Sequence, residues 1–97
     1  MFGKMKDLYD FQKKAREIQK QLRAEIIEKK VGAVKVIING EQKIQSVEID
    51  PEMIDLDKIS ELEGDVKSAV EQAVAESQKI AGDKMKDITG GLGLPGM

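Results

Sequence analysis

Between Phe2 and Ile27 the apolar or small side chains Leu8, Phe11, Ala15, Ile18 and Leu22 recur in steps of three, four, three and four. That spacing is the a/d seam of a heptad. With no Pro in the stretch and Gly only at position 3, it predicts one long amphipathic helix that needs a second helix along its seam. A chain of 97 residues gives one domain with one core. Two Phe, one Tyr and no Trp leave that core to aliphatic side chains, which suits thin layers of helix on helix or helix on sheet. Domains of this size hold a margin of roughly 5 to 10 kcal/mol, so covering a further apolar face by self-association favours an oligomer.

Past Ile27 the period changes. Val34, Val36 and Ile38 alternate with Lys35, Ile37 and Asn39 up to Asn39-Gly40, a turn signal, and a second alternating run from Ile44 to Asp50 stops at Pro51. The pair predicts a hairpin. With a loop of Asn39 to Gln42, Val34, Val36, Ile38, Val47 and Ile49 share one face, while Ile37 and Ile44 meet on the other. The stretch from Ala24 to Lys30 reads either as frayed helix or as a first strand before Val31-Gly32, and the strand, completing a three-stranded meander, is preferred. Asp50-Pro51 predicts a capped helical turn. A longer helix follows, with Asp57 or Ser60 as its cap and Ser60 with Glu63 as a capping box. Its stripe is Leu62, Val66, Ala69, Val70, Ala73, Val74, Ile80 and Ala81, slim enough for close helix packing. The fold class is therefore α+β. Residues 1–88 are expected to form the domain, and the Gly-rich run 89–97 a flexible tail.

Much chemistry is excluded by residue type. Without Cys or His there is no thiolate or imidazole catalysis and no ordinary zinc or iron-sulfur centre. No apolar run matches a signal peptide or a membrane span, so a cytoplasmic protein without membrane contact is expected. The Gly-rich tail lacks the strand, helix and Gly-Lys-Ser/Thr of a phosphate loop. Asp50, Glu52, Asp55 and Asp57 lack the spacing of a calcium loop and read as caps. Neither an enzyme, nor a cofactor, nor a small-molecule substrate is expected.

Charge carries the clearest functional signal. The totals nearly balance, 16 basic against 18 acidic, but residues 1–30 hold nine basic and five acidic side chains, a balance of +4. With Leu8 at heptad position a, Lys6, Lys13 and Lys20 fall at f and Arg16 and Arg23 at b, positions no acid shares. The stripe is about 26 Å long at 1.5 Å per residue, the scale of several successive phosphates. Few aromatics lie near it, which favours a duplex over a single strand. The alternative is an ordinary solvated helix face on a protein-interaction module that uses the seam or the sheet, without direct DNA binding.

Several strings, in order, resemble the bacterial YbaB/EbfC family of nucleoid-associated proteins: the opening Met-Phe-Gly-Lys, the helix through Ala15, Gln19 and Leu22, Val34-Lys-Val-Ile-Ile-Asn-Gly40, Val47-Glu-Ile-Asp-Pro51, Leu62-Glu63, Lys84-Met85 and Thr89-Gly-Gly-Leu-Gly-Leu-Pro-Gly96. Lys29 to Ala33 replaces a connection that is usually Gly-rich. The resemblance implies a tweezer-like homodimer whose small sheets join and whose long helices project, binding double-stranded DNA in the nucleoid, altering its conformation or compaction and influencing gene expression. The residues expected to touch DNA are Lys6, Lys13, Lys14, Arg16, Lys20 and Arg23, with Lys29 and Lys30 as secondary contacts.

Overall fold

A computed structural model describes residues 2–91, with side-chain surroundings over 6–87. Helix α1 (Phe2–Ala24) leads into three strands, β1 (Ile27–Val31), β2 (Val34–Ile38) and β3 (Ile44–Ile49), then into two 3₁₀ turns, Pro51–Met53 and Leu56–Lys58, and finally into helix α2 (Ile59–Gly91). The strands form an antiparallel sheet in the order β1-β2-β3. The architecture is the expected α+β arrangement, with β1 as the strand preferred over a frayed helix end.

Val34, Val36 and Ile38 are fully buried, as strand alternation requires of the face that meets a helix. Against them lies a line of small α2 residues, Ala69, Ala73 and Ser77, all at zero exposure. Four-residue spacing puts these three on one helix face, and their size lets the α2 backbone sit low over the sheet. Ile27 joins this cluster, flanked by Val31, Leu62, Val66, Val70, Val74 and Ile80. A second cluster forms where α2 runs past the sheet. There Ile18 and Leu22 of the heptad seam, with Phe11 and Ala15, pack on Ile80 and Ala81. The seam thus finds its second helix within the same chain, and Ile80 belongs to both clusters.

Register departs from the expectation in one respect. Val34 stands opposite Ile49 and Val36 opposite Val47, so the shared face is as expected, but Ile37 faces Ser46 and Ile44 faces Ile38. The turn is wider than Asn39 to Gln42. Asn39 N donates to Lys43 O at 3.0 Å, and Asn39 Oδ1 accepts from Glu41 N at 2.8 Å and Lys43 N at 3.1 Å. A further irregularity between Ile37 and Ile38 shifts the pairing again, which together displaces the strands by an even number and preserves the faces.

The tight turn after β1 uses Gly32 at φ +55, in the left-handed region that favours glycine; a Cβ there would also collide with the Asp65 carboxylate. Asp50 caps the first 3₁₀ turn, its Oδ1 accepting from Glu52 N at 3.0 Å, with Pro51 in the first position. Asp55 caps the second in the same way through Asp57 N. Because that turn runs directly into α2, Asp57 and Ser60 lie inside helical turns rather than at a cap. At the other end α2 continues through Thr89, Gly90 and Gly91, beyond the expected boundary at residue 88; residues 92–97 of the expected tail lie outside the described residues.

The chain measures 68 × 25 × 12 Å, with a radius of gyration of 18.9 Å, against roughly 12.5 Å for a compact domain of this length. Such thinness leaves apolar surface uncovered. Helix α2 packs on β1 and β2 but not on β3, so Val47 and Ile49 remain 47% and 41% exposed although they share the buried face of the sheet.

Candidate nucleic-acid interface

The seam fixes how α1 sits. With Ile18 and Leu22 turned into the arm formed with α2, the f and b positions point away from it, and Lys6, Lys13, Lys14, Arg16, Lys20 and Arg23 are all exposed. A heptad drifts by only about 20° per repeat on a straight helix, so Lys6, Lys13 and Lys20 stay in line. Lys6, Lys13, Lys14, Arg16 and Lys20 form no ion pair among the described residues. Arg23 is different: its Nε donates to Glu41 Oε1 at 3.0 Å.

The two expected secondary contacts are not brought together. Alternation along β1 sends Ile27, Lys29 and Val31 toward α2 and Glu28 and Lys30 to the opposite face. Lys29 is half-buried, and its Nζ pairs with Glu76 of α2. Lys30 is exposed on the outer face and lines a shallow hollow with Lys35, Glu48 and Asp50. On that outer face Lys35 lies between Glu48 at 3.0 Å and Glu28 at 3.6 Å. The hydrogen bond and charge of Glu48, then the charge of Glu28, hold its ammonium above the ordinary lysine pKa. The outer sheet face is therefore internally neutralised, whereas the α1 stripe is not.

Sequence reasoning missed the parts that fix the stripe in place. Gly40 N donates to Leu22 O at 2.7 Å, tying the β2–β3 turn to the end of α1. Buried Ser77 of α2 donates through Oγ to Asn39 O at 2.6 Å and accepts from Gln42 N at 3.2 Å and Gln42 Nε2 at 3.1 Å. One turn thereby holds both helices and two strands. Gln42 takes φ +61 to do so. The Asn39-Gly40 dipeptide signalled the turn, but nothing local signalled Ser77 or Glu41. Among the described residues no helix is long and apolar enough to cross a membrane.

An arrangement of exposed cations along one helix, mostly unpaired among the described residues and set on a rigid base, can bind a linear polyanion. Comparison with known proteins bears on which. The model of the YbaB/EbfC DNA-binding family matches residues 1–92. A nucleoid-associated protein of Thermoanaerobacter sp. (strain X514) is 34% identical over 95 residues, covering 96% of this chain and 86% of that one. One from Ruminiclostridium cellulolyticum is 36% identical over 96 residues, covering 96% and 84%. Among solved structures, an uncharacterized protein from Helicobacter pylori superposes with a TM-score of 0.63 over 74% of this chain and 86% of its own, at 19% identity, which is a likeness of fold. With the family model matching residues 1–92 and relatives at 34% and 36% identity covering 96% of its length, the chain belongs to the YbaB/EbfC DNA-binding family.

Proposed function

We propose that this protein binds duplex DNA as a homodimer, through the exposed cations of α1, and is a nucleoid-associated protein that alters DNA conformation or compaction and thereby influences gene expression. The observation that carries the reading is the segregation on α1: Ile18 and Leu22 buried against α2, with Phe11 and Ala15 beside them, and five exposed cations that have no carboxylate partner among the described residues, in a member of a DNA-binding family. The contacts are Lys6, Lys13, Lys14, Arg16, Lys20 and Arg23, with Lys30 secondary. Lys29 reaches a phosphate only by leaving Glu76. Such contacts position a protein on the backbone without reading bases, so sequence preference is weak and arises from DNA shape and deformability.

The uncovered face of β3 supports the dimer. Val47 and Ile49 extend the buried face of the sheet beyond the reach of α2, and a second copy placed there joins the two sheets and sets two arms side by side as tweezers. Doubling the stripe doubles the phosphates engaged.

The test is a duplex titration across salt concentrations on material of established mass. Log affinity should fall with log salt at a slope of about −0.9 per phosphate neutralised. Exchanging Lys13, Arg16, Lys20 and Arg23 for Glu should abolish the mobility shift while the mass remains that of a dimer. Unchanged affinity in that variant, or a salt-insensitive interaction, assigns the protein to protein–protein recognition instead.

A further inference from the structure

Arg23 stands apart from the other described cations of α1, Lys6 to Lys20, because it already has a partner, and the partner is fixed. Glu41 is the third residue of the β2–β3 turn, and the three consecutive backbone amides around it are tied to three different places: Gly40 N to Leu22 O at 2.7 Å, Glu41 N to Asn39 Oδ1 at 2.8 Å, and Gln42 N to Ser77 Oγ at 3.2 Å. Its carboxylate therefore occupies a set position beside the last turn of α1. The side chains differ in exposure in the corresponding way: Glu41 is 16% exposed and Arg23 is 64% exposed. Glu41 forms part of the base and Arg23 reaches from it into solvent.

The pairing runs through Nε. A guanidinium has five N–H donors in a planar fork, and the terminal Nη groups of Arg23 make no hydrogen bond among the described residues. A carboxylate on the Nε edge leaves the outer edge of the fork free to approach a phosphate. A free arginine loses considerable rotamer freedom when it binds; one already held along its inner edge loses less.

We propose that Glu41 is a positioning residue for DNA: it orients the Arg23 guanidinium so that its terminal Nη groups meet a backbone phosphate at the end of the α1 stripe nearest the sheet. This rests on the DNA-binding reading above. It also distinguishes Glu41 from a competitor, because a carboxylate that sequestered Arg23 would have to be displaced before DNA could bind.

The sign of the coupling decides the matter. Arg23→Ala is measured in three backgrounds, native, Glu41→Gln and Glu41→Ala, by duplex titration at one salt concentration, with far-UV circular dichroism and mass confirming that each variant folds and associates as the native chain does. Gln keeps a side-chain oxygen as acceptor and removes the charge; Ala removes both. Loss of Arg23 should weaken binding on the order of fivefold in the native and Gln backgrounds, the scale of one charge-assisted contact at an exposed site, and by less than about twofold in the Ala background. Equal losses in all three backgrounds overturn the proposal, and a larger loss without Glu41 makes Glu41 a competitor. A second readout is independent of DNA. The Arg23 Nε–H resonance should be protected from exchange in the native and Glu41→Gln proteins and lose that protection in Glu41→Ala. Failure of the native chain to bind duplex at all overturns the DNA reading together with this one, whereas binding without coupling overturns this one alone.

Discussion

Gly40 is where α1 meets the β2–β3 turn, and replacing it by alanine tests whether that contact holds the arm in place. A Cβ on Gly40 would lie 2.7 Å from Leu22 O, 2.9 Å from Leu22 Cδ2 and 3.0 Å from Leu22 Cα. Two of those atoms are backbone, and Leu22 is itself buried at 8% exposure. Its carbonyl is held by Gly40 N at 2.7 Å and by Glu25 N at 3.2 Å. Nothing flexible is available to yield, so the turn and the helix end must separate. Overpacking of this kind costs about 1–3 kcal/mol and the lost hydrogen bond about 1 kcal/mol more. Gly40→Ala should therefore destabilise by about 2–4 kcal/mol, a fall in thermal midpoint on the order of 10–20 °C for a domain of this length. Gly82→Ala is the matched control. Gly82 lies inside α2 with open space where a Cβ would project, so the same chemical change should stabilise by about 0.5–1 kcal/mol through helix propensity alone. Urea and thermal unfolding followed by circular dichroism, at one protein concentration because the proposed association would contribute to stability, give both values. A Gly40→Ala protein within about 0.5 kcal/mol of native, or two variants that shift in the same direction, would refute the reasoning.

Ser77→Ala removes the buried hydroxyl that donates to Asn39 O and accepts from Gln42 N; these two keep only their own longer bond of 3.3 Å, so the change should cost about 1–2 kcal/mol in urea unfolding. The double change Val47→Glu and Ile49→Glu places charges on the uncovered face of β3 and should convert the proposed dimer to monomer in light scattering while far-UV dichroism stays close to native. Lys35 has its pKa raised by Glu48 and then Glu28, so its stabilising contribution is fully present below the unfolded-state value of 10.5 and is lost as pH rises through the higher folded value. The urea-midpoint difference between native protein and Lys35→Gln should accordingly be flat from about pH 7 to 9 and shrink above about pH 10.5.

What could be read from the sequence was local. The heptad seam of α1, the alternation of Val34, Val36 and Ile38, the Asn39-Gly40 turn and the Asp50-Pro51 cap each depend on neighbours a few residues apart, and each is where the pattern placed it, except that the seam packs only from Phe11 onward and leaves Leu8 60% exposed. The strand faces were legible because parity survives a register shift, but the pairing of Ile37 with Ile44 was not, since it depended on Asn39 closing a wider turn and on a bulge beside Ile38. Asp55, rather than Asp57 or Ser60, caps the helical segment because the 3₁₀ turn at Leu56–Lys58 fuses with α2. For the candidate site, the exposed side of α1 followed from heptad position. Period-two alternation from Ile27 assigns Lys29 to the helix-facing side, yet its partner Glu76 is 47 residues away in the chain. The contacts of Glu41 and Ser77 are likewise products of the tertiary fold, beyond the range of any local pattern.

Ile80, shared by the sheet layer and the helical arm, has a thermodynamic consequence. Ile18 and Leu22, with Phe11, Ala15 and Ala81 around them, are too few to keep two helices ordered in water without support. The arm should therefore melt with the sheet in a single transition, and truncating Ile80 should split that transition in two, the helices fraying first. In the proposed binding mode, a cationic ridge that exists only while the sheet is intact ties grip on the duplex to folding itself, so that loss of either should be recorded at the same temperature.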